Sequence, residues 1–113
     1  MVTQDFGRVL SVGYNGPPRC RSNDSCRAAE GACGCVHAEA NTVAKLGGSR
    51  GGLVLLTTCS PCEHCAGLVV NTGRFSHVVY GETYRRPEGV ALLREAGVVT
   101  VGWSDVLRLA YAG

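Results

Sequence analysis

The sequence predicts an α/β domain, a sandwich of helices on a sheet with adjacent parallel strands. Three observations predict it. The chain is 113 residues long and 45% hydrophobic, enough for one core and too little for two. Short apolar runs at residues 53–57, 75–80 and 98–101 are spaced by helix-forming stretches. Each of those stretches carries start and stop residues where the apolar pattern changes. A strand–helix order at this spacing argues for parallel neighbours, to which an N-terminal strand can add an antiparallel edge. One domain over residues 1–113 is expected.

In chain order, residues 8–12 are short and β-prone, and Asn15-Gly16-Pro17-Pro18 stops the strand and opens a loop. Residues 19–36 lack a clean period and read as an irregular insert holding Cys20, Cys26, Cys33 and Cys35. Ala38, Ala40 and Ala44 favour a helix over residues 37–46, which Gly47-Gly48 ends. After the strand at 53–57, Ser60 is placed as an N-cap and Pro61 at the first helical position of a helix to about residue 71. Pro87 opens a helix through about residue 96, which Gly97 stops. Ser104 can cap a last short helix with Val106, Leu107 and Ala110 on one side.

Composition narrows the function. Eleven basic against nine acidic residues give a net charge of +2, which argues against a surface that coats nucleic acid but allows a local phosphate site. No apolar run is long enough to span a bilayer and no signal-peptide pattern opens the chain, so a soluble, cytoplasmic protein is expected. Seven cysteines, odd in number and clustered, then point to metal rather than a disulfide framework.

Two segments carry chemistry. His37-Ala38-Glu39 and Pro61-Cys62-Glu63-His64-Cys65 each fall at a helix start. Cys62 and Cys65, three apart, share one helix face. A helix N-terminus stabilises thiolates, the form that binds metal. With His37 as third ligand, a fourth zinc position stays open for water, the arrangement of a catalytic site. Glu39 decides the reaction class: a carboxylate beside zinc-activated water can take its proton and deliver it elsewhere. Residues two apart do not share a face within a helix, so His37 must sit at the cap for both to reach one metal. A lone C-x-x-C is better read as a structural knuckle. The upstream His-Ala-Glu completes the H-x-E…P-C-x-x-C pattern of zinc nucleobase deaminases.

The chain resembles the cytidine and deoxycytidylate deaminase superfamily, most closely its deoxycytidylate (dCMP) branch. The resemblance rests on Gly13-Tyr14-Asn15-Gly16, on Cys35-Val36-His37-Ala38-Glu39-Ala40-Asn41, on Thr57, on Pro61-Cys62, Cys65-Ala66 and on Val78-Val79-Tyr80. It implies a three-layer fold with a mixed sheet flanked by helices. It also implies hydrolytic removal of the cytosine 4-amino group, dCMP to dUMP, with Glu39 moving the proton from zinc-activated water to ring N3 and helping ammonia leave. The backbone at Ala38, Thr58 and Ser60 would line the base pocket, and Asn15 would contact the nucleotide. Free-nucleoside cytidine deaminases usually place cysteine where His37 stands. Members usually also carry a helix and most of another strand before the first hairpin; either the start lies further upstream or this is a minimal deaminase, and in the minimal case self-association into a homo-oligomer is expected to cover the open sheet face. Rival readings are a deaminase of a modified cytosine nucleotide, a nucleoside or a nucleic-acid base, and a non-catalytic structural zinc module.

Weaker signals remain. Cys20, Cys26, Cys33 and Cys35 could hold a second, structural zinc; unliganded thiols in a loop are the alternative. Arg19, Arg21, Arg85 and Arg86 flank loops near the expected pocket mouth, where one or two could bind a 5′-phosphate. His64 and His77 read as ordinary structural or surface histidines, and Trp103 and Tyr111 as packing or interface residues.

Overall fold

The computed structural model describes residues 1–4, 7–16, 35–48, 51–83 and 86–112, with side chains through residue 108. Among the described residues, five strands form one mixed sheet: β1 (Val2–Gln4), β2 (Arg8–Ser11), β3 (Leu53–Cys59), β4 (Phe75–Glu82) and β5 (Val99–Gly102), in the order β2-β1-β3-β4-β5. Four helices accompany them: α1 (Ala38–Ala44), α2 (Glu63–Thr72), α3 (Glu88–Glu95) and α4 (Trp103–Ala112).

The parallel part of the sheet is β3-β4-β5, with Leu55 opposite Val78 and Val79 opposite Val101. The N-terminal hairpin adds the antiparallel part, with Val2 of β1 opposite Leu55. Successive strand residues point to opposite faces. Val54 and Leu55 are both buried, as are Val78 and Val79, so both faces of the sheet are covered at the central strands β3 and β4. This is the expected three-layer α/β architecture. The core gathers Val2, Leu53, Leu55, Val78, Ala66, Val69 and Leu93 from both strands and helices. Helix α2 packs against α1, α3 and β4, whereas α4 packs against β4 and β5. No helix among the described residues is long and apolar enough to cross a membrane.

Several boundaries differ from the sequence reading. The N-cap of α2 is Cys62, not Ser60. The Ser60 amide is drawn into the sheet instead, donating to the Glu82 carbonyl at 2.8 Å and extending the β3–β4 ladder past Cys59. Strands β3 and β4 therefore each run two residues beyond the apolar runs that announce them. Ser104 does not cap α4, because that helix begins directly after β5 with Trp103 as its first residue. Glycines in the left-handed conformation end α2 and α3, Gly73 at φ 66° and Gly97 at φ 84°, the latter being the stop read in the sequence.

Candidate metal centre

The first half of the site is built at the start of α1. Val36 makes an antiparallel bridge with Gly16, through amide–carbonyl bonds of 2.7 and 3.2 Å. His37 follows in extended conformation, φ −64° and ψ 152°, as the N-cap of α1. Its imidazole makes no capping bond, so the ring is left for other partners. Glu39 stands within the first turn of α1, whereas His37 lies just outside the helix. The condition set by the sequence, that His37 sit at the cap, is met.

The second half is built at the start of α2. Cys62 is also extended, φ −69° and ψ 168°, and its Sγ accepts from the Cys65 amide at 3.5 Å. Pro61 and Cys65 are fully buried. The two helix starts converge on one point. His37 Nδ1 lies 3.6 Å from Cys62 Sγ and 3.3 Å from Cys65 Sγ, and the three donor atoms fall within 4.8 Å of one another.

This triangle can be tested against zinc. Tetrahedral bonds of about 2.05 Å to nitrogen and 2.3 Å to sulfur put a nitrogen and a sulfur donor roughly 3.6 Å apart. The observed separations of 3.6 and 3.3 Å match that edge. One imidazole and two thiols are also the borderline-soft donor set zinc takes, and three donors leave one position open.

Electrostatics place Glu39 beside the donors. Burial pushes the Cys65 thiol far up, and the Glu39 carboxylate and neighbouring Cys62 push it further. Burial likewise raises Cys59, with Glu39 and Glu82 adding to it. Without a metal these are protonated thiols; a bound divalent cation reverses that logic and strips the coordinating thiols of their protons. The Thr57 hydroxyl at the end of β3 approaches Glu39 Oε1 at 3.5 Å, a long contact, and donates to the Cys59 carbonyl at 3.0 Å.

The loop after β2 docks on the same turn. Ser11 Oγ donates to the Thr42 carbonyl at 2.8 Å, and Asn41 Nδ2 donates to the Tyr14 carbonyl at 3.2 Å. A Cβ on Gly13 would collide with Thr42 Oγ1 and come within 2.7 Å of the Thr42 amide. Only glycine lets the backbone approach α1 this closely.

Comparison with known proteins agrees with this geometry. The family described as "Cytidine and deoxycytidylate deaminase zinc-binding region" matches residues 1–82. The chain belongs to that family. The deoxycytidylate deaminase of Saccharomyces cerevisiae is 36% identical over 104 residues, covering 80% of this chain and 33% of that protein. That of Schizosaccharomyces pombe is 35% identical over 107 residues, with the same coverage of 80% and 33%. The chain thus spans about a third of the length of these curated relatives. Among solved structures, the dCMP deaminase from cyanophage S-TIM5, in complex with dCMP and dUMP, superposes with a TM-score of 0.73. It shares 28% sequence identity, covering 90% of this chain and 77% of that one. The cofactor is zinc, the metal of this deaminase family, and the His37, Cys62 and Cys65 triangle fits it.

The remaining residues anticipated for a deaminase separate into two groups. Asn15 is exposed and adjoins Gly16, whose bridge to Val36 brings that loop alongside His37. The Ala38 carbonyl accepts from Thr42 Oγ1 at 2.7 Å, Thr58 is exposed at the end of β3, and Ser60 is buried beside the cysteine turn. Arg86 is exposed ahead of α3, and Cys35 is half-buried next to Val36. Cys20, Cys26, Cys33, Arg19, Arg21 and Arg85 lie outside the described residues. His64 and His77 are both exposed, and His77 Nδ1 pairs with Ser76 Oγ at 2.8 Å. Sequence reasoning passed over Gly13 and Asn41 as site residues although both lie within the family motifs. It also passed over Gly89, which no local pattern marks.

Proposed function

We propose that this chain catalyses zinc-dependent hydrolytic deamination of dCMP to dUMP, releasing ammonia. The observation that carries the proposal is the triangle of His37 Nδ1, Cys62 Sγ and Cys65 Sγ with the Glu39 carboxylate beside it. A purely structural zinc needs no carboxylate at its open side. Zinc supplies Lewis-acid activation of water at neutral pH. His37, Cys62 and Cys65 hold the metal. Glu39 accepts the water proton, delivers it to ring N3 and then assists the departing amino group, so that water and dCMP become dUMP and ammonia. The backbone at Ala38 with Thr58 and Ser60 lines the base pocket, and Asn15 contacts the nucleotide.

An arginine among Arg19, Arg21, Arg85 and Arg86 binds the 5′-phosphate in this reading, and the chain works as a homo-oligomer. Exposed Val9, Val12 and Tyr14, in and just after edge strand β2, support association, since grouped apolar side chains are usually covered. Cys20, Cys26, Cys33 and Cys35 are proposed to hold a second, structural zinc.

Ammonia release by the zinc-loaded protein from dCMP, deoxycytidine and cytosine tests the reading. A charge-assisted phosphate contact is worth about 1.5–3 kcal/mol, so dCMP is expected to exceed deoxycytidine by about ten- to a hundredfold. No ammonia from any of the three overturns the activity. Equal efficiency on dCMP and deoxycytidine overturns the phosphate contact, and a monomer in light scattering overturns the assembly.

A further inference from the structure

Gly89 lies in the first turn of α3, remote in sequence from both metal motifs and beyond the family match at residues 1–82. It is buried. A Cβ at this position would collide with the Pro61 carbonyl oxygen. It would also stand 2.8 Å from the carbonyl carbon of Cys62 and 2.9 Å from its oxygen. Carbon atoms in folded proteins do not approach backbone this closely, so the α3 backbone is in direct contact with the peptide that carries a zinc ligand.

That peptide cannot easily give way. On one side the Ser60 amide is held by the Glu82 carbonyl at 2.8 Å. On the other, the Cys62 carbonyl accepts from the Ala66 amide at 2.9 Å as the first bond of α2. Between them Pro61 is fully buried and its ring fixes φ. The colliding atoms are backbone, with no rotamer to change. Pressure from α3 therefore moves the Cys62 residue as a unit, together with its Sγ.

We infer that Gly89 is a positioning residue for the metal centre: its missing side chain sets how far α3 stands from the Pro61–Cys62 peptide, and so where Cys62 Sγ meets zinc. The inference rests on the reading that His37, Cys62 and Cys65 hold the metal. A well-formed zinc site holds its distances within about 0.2 Å, and residues that orient ligands typically change metal affinity 10–100-fold. A glycine inside a helix is intrinsically unfavourable, which suits a position kept for close approach rather than for helix formation.

Helix α2 supplies the control. A Cβ on Gly67 meets nothing within 4 Å. Gly89→Ala and Gly67→Ala thus make the same chemical change in two helices, one crowded and one open. Leu93→Ala, which removes a fully buried side chain from α3 itself, controls for general loosening of that helix.

Zinc affinity by chelator competition and the visible spectrum of the cobalt-substituted protein are the readouts, with the rise in melting temperature that zinc produces. Gly89→Ala is expected to weaken zinc binding roughly 10–100-fold, alter the cobalt spectrum and shrink the zinc-dependent rise. Gly67→Ala should bind zinc as the unaltered protein does. Leu93→Ala should lower both melting temperatures and leave the zinc-dependent rise unchanged. If Gly89→Ala folds only with metal, the zinc concentration that folds it should rise by the same factor. Unchanged affinity and spectrum in Gly89→Ala would overturn the inference. So would failure to fold at saturating zinc, which would assign Gly89 to core packing alone. Absence of zinc binding in the unaltered protein would instead fail the metal assignment on which the inference stands.

Discussion

His37 and Glu39 enter the centre from the start of α1, Cys62 and Cys65 from the start of α2. Both helices begin on an extended residue that is itself a metal donor. Their surroundings differ. Helix α2 buries Cys65, Ala66 and Val69, and its first turn is wedged between the end of β3 and the backbone of α3. Helix α1 is shorter and buries Thr42 alone among its residues, and its first turn is covered by the loop after β2. Exposure follows the same gradient, from fully buried Cys65 through half-buried Cys62 to exposed His37. The cysteine side is the anchored one, and the histidine side is the one exposed to solvent. A structural zinc is enclosed on all sides, whereas a catalytic one needs this asymmetry.

Substituting one residue from each side gives the largest contrast. Cys65→Ala is expected to lose zinc and with it all turnover. Glu39→Ala is expected to keep zinc and fold and to lose turnover, since general acid–base transfer alone is worth roughly 10²–10⁴-fold and one carboxylate here serves several transfers. Metal analysis beside a kinetic assay separates the two. Zinc loss in Glu39→Ala would make that carboxylate part of the metal grip, and near-normal deamination by it would remove its catalytic role.

The two sides were not equally legible in the sequence. The donors and Glu39 could be read because their spacing is a local property: a three-residue step on a helix, and a histidine that works only at a cap. The alternation of strands and helices was legible for the same reason, from apolar runs and their Gly and Pro boundaries. Ser60 misled because the chain stays extended two residues further: the Ser60 amide continues the ladder to the Glu82 carbonyl, and the first helical bond is accepted by the Cys62 carbonyl. Gly89 carried no signal, since its constraint comes from a backbone far away in the chain. Glycine reads as a stop in a sequence, and here it sits inside a helix at a contact.

The buried side also makes metal binding depend on pH. The Cys65 pKa is raised by burial first and by Glu39 next, so the metal-free protein holds that proton at neutral pH. Zinc must displace it, and affinity rises with pH. Each proton released contributes about tenfold per pH unit. Zinc affinity measured from about pH 6 to about pH 8 should show at least that slope, with proton release visible by calorimetry in buffers of different ionisation enthalpy. A flat profile would mean that the buried thiol is not a ligand. For the metal-free fold the sign reverses. A thiol whose folded pKa is raised stabilises the fold fully below its unfolded value, about 8.5, and the contribution is lost as pH rises further.

The smallest effect belongs to the exposed side, where Gly13 mirrors Gly89. A side chain there would push the Tyr14–Asn15 loop off the first turn of α1. The atoms it meets are the Thr42 amide and Thr42 Oγ1, the latter already bonded to the Ala38 carbonyl at 2.7 Å. The loop has more freedom to yield than the cysteine turn, because its ties among the described residues, the Asn41–Tyr14 bond, the Lys45 ammonium over the Tyr14 ring and the Gly16–Val36 bridge, involve exposed or half-buried side chains and one short bridge. Gly13→Ala should therefore leave zinc affinity unchanged. KM for dCMP should rise roughly tenfold, below the 10²-fold that a misplacement of about 1 Å can cost, with kcat less affected. Steady-state kinetics beside chelator competition decides the matter. If Gly13→Ala weakened zinc as Gly89→Ala does, the two sides would be mechanically one, and the division between an anchored cysteine turn and a yielding substrate loop would fall.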